Sequence, residues 1–406
     1  MVGSFTAAFA ASRVDAAVRP PPPSTEDGDT FGVYVADQET YDSNLYRLPS
    51  NIGSVSTVVS PNATRDDAYN TVSLGGSGQW VAGRQVLDLD LLANENRFSH
   101  NDMLNNTGVD GKFAWYWSVA PYFSGQVGAD FNRALASFAE TRYLGRDLVD
   151  TKNYFGTARY QVGPRWAVFG GVRDVQFSHG VAVQQYNNFT NKSGNAGIEY
   201  ATNVNDTFQL EYNYSDGYYP QDYVLNGTLF NRNYHENTTR FLVQHAFTDK
   251  TALNANAGYL KRDYLAAGAG HFSGNIWRVS LDWKPTDKTD LVAAAWHELH
   301  AYSVNESNYF ISKGGSLAPV WAATEKLRFS LVFSLEDQNY INSSTSVVTS
   351  GPLSAKIIAQ QLNILYTPRD RWFFNAFFRH ERRNSNQASF AFDDQLANVS
   401  VTYKIH

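Results

Sequence analysis

The densest run of chemistry-bearing side chains in this sequence is Trp296-His297-Glu298-Leu299-His300. Two imidazoles around a carboxylate hold zinc and activate water when both histidines share one helix face, as in His-Glu-x-x-His. Here the histidines are three apart, and on a strand residues i and i+3 point to opposite faces. Asp88 and Asp90 would share one strand face, about 7 Å apart, and a carboxylate pair suggests glycoside hydrolysis. The polar wall of a water-filled interior calls for the same residues and is the favoured reading. Asp66-Asp67 and Asp393-Asp394 could hold calcium in loops, but a solvated acidic turn accounts for them as well. Gly163-Pro164 is too short for a phosphate loop, and there is no nucleophile elbow. With no cysteine, thiolate metal sites, thiol nucleophiles and disulfides are excluded. The sequence therefore implies no metal, no cofactor and no enzyme.

The elements that would position these residues show best between Ile364 and Phe378. Two apolar-aromatic runs, Ile364-Leu365-Tyr366 and Trp372-Phe373-Phe374-Asn375-Ala376-Phe377-Phe378, flank a polar knot, Thr367-Pro368-Arg369-Asp370-Arg371. Pro and Asp interrupt a ladder, so the stretch reads as a hairpin. Similar short turns fall at Ala82–Arg84, Val119–Pro121, Gly163–Arg165, Asn203–Asp206, Thr248–Lys250, Pro285–Lys288, Ala323–Lys326 and Thr367–Asp370, about 40 residues apart. Between them lie longer Asn-, Ser-, Gly- and Tyr-rich segments, including Asn51–Arg65, Ala134–Asp147, Gly217–Asn233 and Ile341–Gly351. The alternation predicts an all-β fold: a transmembrane antiparallel up-and-down β-barrel of about 18 strands, with short periplasmic turns and long extracellular loops.

Period-2 patterning fits. Leu253, Ala255, Ala257 and Tyr259 oppose Asn254, Asn256 and Gly258; Trp277, Val279, Leu281 and Trp283 oppose Arg278, Ser280 and Asp282. A soluble sandwich alternates in the same way. The tryptophans discriminate, because Trp80, Trp117, Trp166, Trp283, Trp321 and Trp372 sit within about four residues of a short turn, as an interfacial girdle requires. Bulk composition agrees: 15% aromatic residues and a mean hydropathy of -0.39, with no apolar run of the ~18 residues a membrane helix needs. The formal charge of -6 carries no basic run, which leaves out nucleic acid as a partner. Ser312–Ala318 with Pro319 predicts a short or bulged strand. Residues 1–29 are set aside as a disordered N-terminal segment or signal remnant, and the barrel is expected over 30–406.

Alternation assigns a lumen lining of Asp88, Asp90, Lys112, Asp130, Arg159, Arg173, Glu211, Arg278, Asp282, Arg328, Arg379, Glu381 and Arg383. Mixed charges around a water-filled path exchange hydrogen bonds with a hydrated solute without holding it. Inward Tyr116, Phe155, Phe373 and Phe377 could stack sugar faces or simply fill space. The loop Gly217–Asn233, with Tyr218, Tyr219, Tyr223 and Phe230, is a candidate gate.

The opening Asp29-Thr30-Phe31-Gly32-Val33-Tyr34, followed by Tyr41-Asp42-Ser43-Asn44-Leu45-Tyr46-Arg47-Leu48-Pro49, resembles the EpsL-like β-barrel porins encoded with bacterial exopolysaccharide loci. The resemblance spans about Asp29 to His406 through a short motif, and the chain ends in His406 rather than the terminal Phe common in such barrels. It implies a Gram-negative outer-membrane channel for export of a bacterial polysaccharide. Its partners would be outer-membrane lipid and periplasmic and inner-membrane synthesis and export components. The rival readings are a general or sugar-selective diffusion porin, an outer-membrane hydrolase, and a loop-based scaffold.

Overall fold

The structure, a computed structural model, describes residues 28–405 apart from 53–54, 56–58, 140–142, 203–205, 226–227, 267–270, 305–306 and 343–352. The N-terminal segment set aside at 1–29 lies outside the described residues except for its last two. So do the side chains of Tyr223 and Phe230 and most of the loop at Ile341–Gly351.

The barrel strands are β1 (Thr30–Asp42), β2 (Asp67–Ala82), β3 (Gln85–Phe98), β4 (Asn106–Val119), β5 (Phe123–Leu135), β6 (Leu148–Gln161), β7 (Trp166–His179), β8 (Phe189–Ala201) and β9 (Thr207–Tyr218). A small ribbon, β10 (Tyr223–Leu225) with β11 (Thr228–Phe230), sits in the loop that follows. The ring continues through β12 (Tyr234–Thr248), β13 (Thr251–Tyr264), β14 (His271–Thr286), β15 (Thr289–Val304), β16 (Ser307–Ala322), β17 (Leu327–Asn342), β18 (Ser354–Arg369), β19 (Trp372–Ser385) and β20 (Phe392–Lys404). These form one 18-stranded antiparallel sheet. It closes because β1 pairs with β2 on one side and, from Tyr34↔Lys404 to Asp42↔Leu396, with β20 on the other. Closure removes the sheet edges that a bilayer cannot satisfy, and a ring of this size leaves room for an aqueous channel.

Proline departs from its expected role. The knot at Thr367–Arg371 does not end the ladder at Thr367: β18 continues to Arg369 through a register shift between Tyr366 and Arg369, and the turn is only Asp370-Arg371. Pro285 likewise falls within the register shift between Trp283 and Thr286. A bulge tolerates the missing N–H. The short or bulged strand expected around Ser312–Pro319 is instead 16 residues long. Leu291 pairs with Pro319, and toward β17 the ladder passes from Leu317↔Phe333 to Val320↔Ser330 without changing register.

Odd–even alternation sorts each strand into two faces. On β19, Trp372, Phe374 and Phe378 are exposed on the outer face while Glu381 and Arg383 are buried on the inner one. The six tryptophans near the turns lie on the outer face, and among the described residues all but Trp283 meet another aromatic ring. Trp80 meets Phe31 edge-on at 5.1 Å, Trp166 meets Tyr200 at 4.8 Å, Trp321 stacks on Phe329 at 5.6 Å, and Trp372 contacts Tyr403 at 4.8 Å. Trp117 packs against Phe123, and Trp283 is 46% exposed. With the apolar rows above them they form a lipid-facing belt with an aromatic girdle at the periplasmic margin.

Candidate functional site

The inner wall is a set of charged rows. Register places Asp90 beside Lys112, Lys112 beside Asp130 and Asp130 beside Asn153. Asn153 Nδ2 donates to Asp130 Oδ2 at 2.7 Å, and Arg173 Nε donates to Asn153 Oδ1 at 2.7 Å. With Asp88 and Asp110 also facing inward, the β3–β5 sector is predominantly acidic. Farther round, Arg159 Nη2 pairs with Glu199 Oε1 at 2.6 Å, and Gln209 Nε2 donates to Glu199 Oε2 at 2.9 Å. Asn195 Nδ2 holds Glu211 at 2.8 Å. Arg278 forms a two-point pair with Glu298 at 2.9 and 2.7 Å and lies 5.0 Å over the Trp296 ring. Arg240 differs: among the described residues it makes no ion pair within 4.0 Å, and its Nε has no hydrogen-bond partner. It is opposite Glu211 on β9 and Gly258 on β13, where any Cβ would meet Thr239 O at 2.4 Å and Arg240 Cγ at 2.7 Å.

The mouth is built differently. Arg47, just past β1, reaches Asp42 at 2.9 Å and Asp394 at 3.0 Å; Arg379 reaches Asp394 at 3.5 Å and Glu381 at 3.8 Å. Burial pulls the Arg47 pKa down, but the carboxylates of Asp42, Asp394 and Glu381 outweigh it and the guanidinium is held charged. Arg65 then folds the first loop by donating to Leu48 O at 2.9 Å, Pro49 O at 3.2 Å and Ile52 O at 2.7 Å. Tyr46 has no solvent exposure, and its hydroxyl donates to Asn101 Oδ1 at 2.9 Å. Burial, then Asp67, raises its pKa. Its ring meets Phe138 of the third loop at 5.0 Å within a cluster that also holds Leu45, Leu48 and Leu104.

From the third loop, contact passes to the opposite side of the ring. Arg383 Nη1 donates to Ala139 O at 3.2 Å and Nη2 donates to Tyr340 Oη at 2.7 Å. Tyr340 Oη donates to Gln338 Oε1 at 2.6 Å, and Gln338 Nε2 donates to Glu336 Oε1 at 2.9 Å. Ser312, which takes the Trp296 N–H at 2.8 Å, donates to the same carboxylate at 2.8 Å. The loops following β1 and β5 thus fold inward, and a hydrogen-bonded chain on β15–β19 meets them.

All thirteen residues assigned to the lumen by alternation fall on the inner face of their strands. They do not form one uniform lining. Arg379, Glu381 and Arg383 are tied into the mouth, Asp88 to Asp130 make one acidic sector, and Arg328 stands exposed near the periplasmic end. Of the four inward aromatics, Phe155 lies flat on the wall: a Cβ at Gly128 would come within 2.4 Å of its ring. Phe373 carries the Lys404 ammonium 4.9 Å above its ring. Tyr116 and Phe377 are half-buried on the same face. In Trp296-His297-Glu298-Leu299-His300, His297 faces outward against Trp277 and His300 inward against Phe310. Tyr219 of the candidate gate loop is buried under Arg232 at 4.2 Å, whereas Tyr218 points outward.

Sequence reasoning did not assign Glu199, Arg240, Glu298, Arg47, Asp42 or Asp394 to the lumen or mouth. The first three follow from alternation, since Ile198, Phe241 and Leu299 mark the opposite face. In the sequence, Asp42 and Arg47 stand out only inside the opening motif and Asp394 only in an acidic pair, because the contact that joins them, Arg47 to Asp394, links opposite ends of the chain.

The family model described as "Putative beta-barrel porin 2" matches residues 243–405, from the middle of β12 through β20. Among solved structures, a BenF-like porin from Pseudomonas fluorescens Pf-5 is 13% identical over 93% of this chain and 99% of its own, with a TM-score of 0.50. Pseudomonas aeruginosa OccK2 (OpdF) in complex with glucuronate is 12% identical over 92% and 98%, also with a TM-score of 0.50. No curated protein matches by sequence. The chain thus has the architecture of a porin-like channel, and its closed ring, lipid-facing belt and girdle are those of a bacterial outer-membrane protein.

Proposed function

We propose that this chain is a passive, size-limiting outer-membrane channel for small hydrated solutes, with carboxylate-bearing ones lingering at Arg240. The observation that carries the reading is the bridge from Arg383 to Ala139 and Tyr340, which spans the entrance above a charged lumen. A small solute can pass beside such a bridge, whereas a hydrated polymer threading outward would have to displace it continuously. Mixed charge below the bridge replaces part of a solute's hydration without trapping it. The porin-like match over β12–β20 supports diffusion ahead of the exopolysaccharide export implied by the opening motif.

Purified protein in planar bilayers should conduct steadily and pass monosaccharide-sized acids in liposome swelling assays while excluding oligosaccharides. A strain lacking it should still secrete polymer. Absence of conductance, together with polymer trapped in the periplasm of the deletion strain, would overturn the proposal in favour of export.

A further inference from the structure

Among the described residues, neighbouring strands stay paired to within a few residues of their extracellular ends everywhere except between β14 and β15. That ladder stops at Trp277↔His297, although β14 continues up to His271 and β15 to Val304. Below the break the wall is closed, and Trp277 packs against His297 with ring centroids 6.4 Å apart. Above it the outer face of β14 turns polar, with Asn275, Ser273 and His271. The unpaired stretch therefore lies beyond the apolar belt, where water can satisfy its backbone groups.

Hydrophobic contact takes the place of the missing ladder. Alternation puts Leu299 on the outer face of β15 and Ile341 on that of β17, whereas Tyr234, Tyr264 and Phe272 are inner-face residues of β12–β14. All of them belong to one apolar cluster with Tyr309 of β16. Tyr309 stacks on Tyr264 at 6.1 Å and meets Phe272 edge-on at 5.3 Å. Outer-face residues of one sector packed on inner-face residues of the next mean that the upper ends of β15 and β16 lean inside the barrel, overlapping β13–β14. The lean begins where β16 carries Gly314, paired with Trp296 and Glu336, and Gly315, paired with Ala295 and Leu335. Gly314 has no room for a Cβ, which would lie 2.5 Å from the Trp296 ring.

We propose that the upper ends of β15 and β16 are a hinged flap, bending at the Gly314–Gly315 row and sealed by Leu299 and Tyr309 against Tyr264 and Phe272, whose release widens the mouth at the β14–β15 seam. The proposal rests on the channel reading above. Its free edge is on the β14 side; on the other side β16 stays paired with β17 up to Ser307↔Asn342. A seal of side-chain contacts parts without breaking a backbone ladder, which makes this seam the weakest place in the ring.

The chain has no native cysteine, so a clean test is available. The double variant Tyr264→Cys/Tyr309→Cys is bridged with a short, reducible bis-thiosulfonate reagent. Bridging is read by mass, and current is then recorded before and after reduction. The expected result is that the bridged channel loses its transient wide-conductance events, and dithiothreitol restores them at least threefold in frequency. A channel that conducts identically in both states overturns the flap and leaves the channel reading intact. Failure of the pair to bridge in folded protein overturns the packing itself. A second readout needs no conduction. Leu299→Cys should label with a bulky maleimide several-fold faster in the Tyr309→Ala background than alone, and equal rates also overturn the proposal. If no variant and no wild-type protein conducts while labelling responds as expected, the channel reading fails and the flap stands.

Discussion

The barrel wall below Trp277 and the mouth above it are made from the same strands by different rules. In the wall, each residue's environment follows from its parity: lipid outside, water inside, with the ladder holding the two apart. Inner-face charges there either keep contact with water, as Asp88, Lys112 and Arg328 do with only loose company, or are buried against partners on nearby strands, as Glu199 and Glu211 are. In the mouth, Asp394 and Tyr46 have no exposed surface and Arg383 only 4%, so each polar group requires a specific partner. The wetted part of the wall is therefore tolerant and the mouth is not. Selectivity can be adjusted in the first without endangering the fold, while entrance size depends on a few contacts in the second.

The sharpest way to break this contrast is to remove the shared carboxylate of the mouth. Asp394→Ala leaves Arg47 and Arg379 buried with part of their charge uncompensated, which costs about 3–5 kcal/mol. The first loop should then be cut by protease at concentrations that leave the wild type intact, and the detergent-extracted barrel should unfold at lower denaturant concentration. Equal protease resistance would mean that the first loop is held by its apolar cluster alone.

Arg383→Ala removes two hydrogen bonds from a charged donor, worth about 1.5–3 kcal/mol each, and with them the crossing of the entrance. Mean single-channel conductance should rise and the size cut-off in liposome swelling should increase, with the loss of stability falling on the mouth because the wall ladder is untouched. Unchanged conductance would show that the bridge does not limit the path. At Arg240, in the wall, the effect should fall on selectivity alone. Arg240→Gln removes a cation that makes no ion pair within 4.0 Å among the described residues, an electrostatic change of about 1 kcal/mol at the surface of a wet lumen. The anion-to-cation permeability ratio should drop about fivefold at low salt, and the difference should vanish near 1 M salt, where screening shortens to about 3 Å.

The wall was legible in the sequence and the mouth was not, for one physical reason. Parity is local: Trp277, Val279, Leu281 and Trp283 reveal their face from their own spacing, and so do the turns that separate them. Arg383 meets Ala139 across 244 positions, and Ser43 meets Asp394 across 351, so no window on the chain contains both partners. The motif Tyr41–Pro49 stood out as a resemblance without revealing its physical role. In the structure its Asn44 donates to Leu48 O at 2.8 Å and to Asp393 O at 3.0 Å, and its Arg47 clamps Asp42 and Asp394. It is the anchor of the first loop. The β14–β15 seam was hidden for the related reason that both strands alternate normally past the point where their pairing stops.

The smallest effect belongs to the hairpin at Thr367–Arg371, where wall and membrane meet. Trp372 is 41% exposed, stacks on Phe374 at 6.1 Å and contacts Tyr403 of β20 at 4.8 Å. Trp372→Ala deletes those contacts, worth about 0.5–1.5 kcal/mol per aromatic pair, together with an indole suited to the headgroup layer. The ladder Trp372↔Tyr403 survives, because backbone pairing does not depend on the side chain. Refolding into bilayers should slow and equilibrium stability should fall by about that amount, with conductance and selectivity unchanged. The same substitution at inward-facing Phe373, where the ring meets the Lys404 ammonium instead of lipid, should leave stability nearly unchanged and alter the current. If the two variants behaved alike, parity would not be what separates the faces of this wall.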